Sequence, residues 1–72
     1  MAFWPITLFV VYRSPSDFPG KYVVRRWLDC VPEHEPLRVC EQLDQARSAI
    51  PAGAANIGRM REDDPAILEV WL

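Results

Sequence analysis

The chain has 72 residues, is 50% hydrophobic and 25% charged, and carries a formal charge of −2. That length holds one domain, residues 1–72, which buries only about 60% of the unfolded chain's surface, so support from self-association is expected. The composition excludes a disordered chain. The negative balance excludes wholesale polyanion binding, though it leaves room for a local basic patch.

Met1–Tyr12 has no charged side chain, so it has to be tested as a targeting or membrane segment. It has no basic start, holds Pro5 and runs into Arg13-Ser14 without a small-residue cleavage signal. It is also shorter than the ~20 residues a helix needs to cross a bilayer. Ile6–Tyr12 is continuous, β-branched and aromatic, which predicts a strand covered on both faces. Arg13–Gly20 reads as a loop from its Ser, Pro, Asp and Gly content.

Lys21–Cys30 is predicted as a second strand. One face carries Val23, Arg25 and Trp27, and the other Tyr22, Val24, Arg26 and Leu28. Both mix apolar residues with arginine, so alternation does not say which face meets the core. Val31–Pro36 is a second loop, broken by Pro32 and Pro36. Beyond it, Val39, Leu43, Ala46 and Ile50 form one stripe of an amphipathic helix that Pro51 and Gly53 stop. Its start stays open, because Leu37-Arg38-Val39 reads equally as a short strand. Ala52–Asp64 is irregular, and Pro65 then introduces a third strand over Ala66–Leu72.

The order β-β-α-β predicts an α+β domain, a three-stranded antiparallel sheet in spatial order 2-1-3 with one helix on one face. The Leu68-Val70-Leu72 face is purely apolar and is expected under the helix. Ile67, Glu69 and Trp71 would then lie on the face the helix leaves uncovered, with Val23, Arg25 and Trp27. Those six residues are the candidate partner surface, with Arg25 and Glu69 as an expected ion pair. Apolar patches rich in Trp and Arg resemble the centres of protein interfaces. The competing expectation is that arginine stems, the Met1–Trp4 segment and the Ala52–Asp64 loop cover this face.

Other chemistries find less support. Tyr22, Arg25 and Trp27 interleave basic and aromatic residues, as single-strand nucleic-acid binders do. Arg25 and Arg26 point to opposite faces, however, so cross-strand pairing is preferred and nucleic acid is the alternative reading. Lys21 is the sole lysine; the arginines suit bidentate pairing, but they also match the codon bias of a GC-rich genome. Cys30, His34 and Cys40 lack the paired short spacings of a zinc site, so no metal or cofactor is expected. No disulfide framework is expected either, and reduced thiols imply a cytoplasmic protein. The Glu62-Asp63-Asp64 run before Pro65 reads as a solvated turn. There is no phosphate loop and no nucleophile elbow, so an enzyme is not expected.

The segments Asp17-Phe18-Pro19-Gly20-Lys21-Tyr22-Val23-Val24-Arg25-Arg26-Trp27 and Asp63-Asp64-Pro65-Ala66-Ile67-Leu68-Glu69-Val70-Trp71-Leu72 resemble a family of small bacterial proteins of unknown function. The Ala46–Pro51 segment, a helix ending in Ile-Pro, is similar to that family too. The resemblance implies a self-standing small cytoplasmic protein and no known activity. His34, Cys30 and Cys40 lie outside its pattern. The reading is therefore a non-enzymatic domain acting by contact with an unknown protein partner or with itself as a homodimer.

Overall fold

A computed structural model describes residues 6–29, 31–59 and 64–72. The elements run β1 (Thr7–Arg13), β2 (Tyr22–Leu28), β3 (Val31–Pro32), β4 (Arg38–Cys40), α1 (Leu43–Arg47) and β5 (Ile67–Trp71). All pairings are antiparallel, in the order β3-β2-β1-β5, and β4 also pairs with β2.

The most apolar strand, β1, lies between β2 and β5 with both edges paired, and Val10 and Val11, which point to opposite faces, are both buried. The sheet has five strands rather than the three expected. The additional two are short pieces that share the outer edge of β2, opposite Trp27–Leu28 and Tyr22–Val24. Val31–Pro32, expected as loop, forms one of them; Pro32 is tolerated because the strand is at an edge. Arg38–Cys40 forms the other and settles the open start of the helix. Pairing Val39 with Val23 satisfies main-chain groups on the edge of β2, and this outweighs helix propensity in the segment.

The helix is therefore only five residues long, and Gln42 at its start makes no side-chain cap bond. Ala46 is buried, and Leu43, Ala49 and Ile50 pack with it on Val11 and Val24. Three of the four stripe residues thus face the sheet, while Val39 lies in β4. This length is too short to stand alone in water, so its packed face holds it.

The register of β1 and β5 shifts between Val11 and Tyr12: Val11 is opposite Glu69, but Tyr12 is opposite Ile67. Leu68 is the extra residue of a bulge, and a bulge reverses pleat parity along the strand. Ile67 and Val70 consequently share one face with Val10, whereas Trp71 packs with Val11 and Val24 beneath the helix. The expected facing of β5 is thus overturned at Val70, Glu69 and Trp71, and kept at Ile67. Leu72 is exposed and does not sit under the helix.

Part of the stretch expected to be irregular is ordered against β5. Ala55 and Leu72 exchange main-chain hydrogen bonds at 2.9 Å each, and the Ile57 N–H donates to the Val70 carbonyl at 2.8 Å. Residues 55–57 so line the outer edge of β5 and close it to further pairing. The Asp64 carboxylate accepts the Ala66 N–H at 2.8 Å, the side-chain turn expected before this strand. Cys30 and the Met1–Trp4 segment lie outside the described residues, as do Glu62 and Asp63.

Candidate contact surface

The sheet face away from the helix collects alternate residues of three strands. Leu8, Val10 and Tyr12 of β1 stand opposite Trp27, Arg25 and Val23 of β2, and the bulge adds Ile67 and Val70 from β5. The face is divided into two unlike halves, and one hydrogen bond marks the border. The Trp27 indole N–H donates to the Tyr12 hydroxyl at 3.1 Å. Burial pushes the Tyr12 phenol above its usual value, against the lowering effect of the indole bond, so the hydroxyl keeps its proton at neutral pH.

On the β1–β5 side lies an open groove of about 340 Å³ lined by Leu8, Val10, Trp27, Ile57, Ile67 and Val70. None of these lining side chains is charged. Ile57, on the segment beside β5, forms a raised wall and is 57% exposed. On the β2 side lies a pocket of about 560 Å³ walled by Tyr12, Pro15, Asp17, Arg25, Pro32 and Glu33. Arg25 is committed there: its Nη1 donates to the Glu33 carbonyl at 2.7 Å and the His34 carbonyl at 2.5 Å. Its Nη2 donates to Asp17 Oδ2 at 3.1 Å. Val23 is fully buried under these groups.

Of the six residues expected to form one surface, Val23, Arg25, Trp27 and Ile67 share this face. Glu69 and Trp71 do not. Glu69 is buried on the helix side, where the Arg47 guanidinium grips both its oxygens and the Trp71 indole N–H donates to Oε1 at 3.1 Å. The expected Arg25–Glu69 pair is therefore replaced by Arg25–Asp17 and Arg47–Glu69. Val23 faces the right way but is covered. Leu8, Val10, Val70 and Ile57 are additions; the hairpin register could have pointed to Leu8 and Val10, whereas Val70 depends on the bulge.

The three residues of the nucleic-acid reading do not share a face, since Tyr22 packs in the cluster beneath the helix. Arg26 is on that side too and donates to the Glu33 carboxylate at 2.7 Å. Among the described residues, no group of three or more His, Cys, Asp or Glu could hold a metal ion. Cys40 is a free, half-buried thiol in the same cluster. No helix of the described residues is long and apolar enough to cross a membrane. No protein family, curated protein or solved structure matches the chain.

Proposed function

We propose that this chain is a non-enzymatic domain that works by protein contact, with a second copy of itself as the partner. The observation that carries the reading is the uncharged groove on the helix-free face, with exposed Ile57 standing beside it. A ridge next to a groove is self-complementary across a twofold axis: each copy's Ile57 seats in the other's groove. A neutral lining meets its own copy without repulsion. A domain below about 80 residues also has little stability of its own, and burying this face supplies more. The partner surface is thus the Trp27–Ile67 half of the expected one, extended by Leu8, Val10, Val70 and Ile57.

Chemical-shift mapping across a dilution series tests it. The reading expects concentration-dependent shifts at Leu8, Val10, the Trp27 indole, Ile57 and Val70, with Ala46 and Val24 unmoved. Shifts confined to the helix side, or none at all, would contradict it.

A further inference from the structure

The β2 half of the helix-free face is covered by two loops that share no covalent link near it. Residues 14–21 join β1 to β2, and residues 33–37 join β3 to β4. Each brings a proline to the wall over Val23 or next to it, Pro15 from the first and Pro32 just before the second. The Arg25 side chain, itself 14% exposed, holds both: the Asp17 carboxylate on one side and the Glu33 and His34 carbonyls on the other. Arginine is suited to this, because its rigid fork presents donors in several directions at once.

Beneath the loops Val23 is fully buried, opposite Tyr12 and on the same sheet face as Val10. We infer that Arg25 is a latch: the two loops open together, and opening uncovers Val23 and joins the polar pocket to the apolar groove as one wider face. The first part rests on the geometry alone. The use of the wider face rests on the contact reading above.

Each loop carries an amide that reports on opening. The Phe18 N–H donates to the Pro15 carbonyl at 3.0 Å, and the Glu33 N–H donates to the Arg26 carbonyl at 2.9 Å. The experiment is amide hydrogen exchange on the full chain, wild type and Arg25→Gln, at a dilution where it is monomeric. A soluble nitroxide is added to broaden any exposed methyl signal. The expected result is exchange faster by about tenfold or more at Phe18 and Glu33 together, with the Val23 methyls broadened and those of Val11 and Val24 unchanged. Rates within about twofold of wild type at either amide, or Val23 methyls that stay shielded, would overturn the latch.

If Arg25→Gln also loses protection at Val11 and Val24, it has unfolded the sheet, and Asp17→Asn decides. Faster exchange at Phe18 and Glu33 together with Val11 unchanged then sustains the latch; either amide unchanged overturns it. None of these readouts involves association, so the latch and the contact reading fail separately.

Discussion

Arg47 on the helix and Glu69 on β5 are joined by a two-pronged ion pair, Nε to Oε1 at 3.1 Å and Nη2 to Oε2, which ties α1 to the strand across the sheet from it. This pairing explains how a carboxylate that is 6% exposed is accommodated beneath so short a helix. A buried charge is tolerated only when paired and hydrogen-bonded, and Glu69 receives both Arg47 and the Trp71 indole.

The pair sets an acid dependence. The Arg47 hydrogen bonds hold the Glu69 carboxyl below its usual value of 4.5, outweighing burial, which raises it. A carboxyl whose folded value lies below its unfolded value binds its proton more readily in the unfolded chain. Its stabilisation is therefore complete above the unfolded value and is lost as pH falls through the folded one. Glu69→Gln is expected to be less stable than wild type at neutral pH and to converge with it in acid. Urea titrations of both proteins at stepped pH check this.

Trp71→Ala is expected to destabilise the fold by about 3 kcal/mol, the low end for a large aromatic in a core, because Trp71 is half-buried with Val11, Val24 and Ile50. A domain of this size holds about 3–5 kcal/mol in all, so the variant should be left with about 0–2 kcal/mol and a clearly lowered thermal midpoint. Circular dichroism against temperature measures it. A folded variant that only loses association would place Trp71 on the contact face instead.

Tyr12→Phe removes the acceptor of the Trp27 indole N–H and is expected to cost about 0.5–1.5 kcal/mol in chemical denaturation. Exchange of the Trp27 indole proton should quicken in the same variant, while the Trp71 indole, bonded to Glu69, should not change.

Much of the arrangement was legible in the residues. The uncharged Ile6–Tyr12 run places β1 in the middle of the sheet, and Leu43, Ala46 and Ile50 mark the side of the helix that meets it. Two features were not. Strands of two and three residues, such as Val31–Pro32 and Arg38–Cys40, are too short for a period to show; they form because the edge of β2 offers unpaired main-chain groups. The bulge at Leu68 has no signature among its side chains, since Ile67-Leu68-Glu69-Val70-Trp71 alternates as an even strand does. One inserted residue moved Glu69 and Trp71 across the sheet and brought Val70 into the groove. Arg25 and Trp27 of β2 therefore lie on the expected sheet face, whereas the facing of most of β5 is inverted.

The contact reading is tested most directly by sedimentation equilibrium, under reducing conditions, of the wild type and Ile57→Glu from micromolar to near-millimolar concentration. Ile57 is exposed and its main-chain bond to Val70 does not depend on its side chain, so the variant should keep the wild-type thermal midpoint at dilution. The account predicts a concentration-dependent dimer for the wild type and a monomer throughout for the variant. A wild-type chain that stays monomeric over the whole range, or a variant that dimerises equally well, would contradict it.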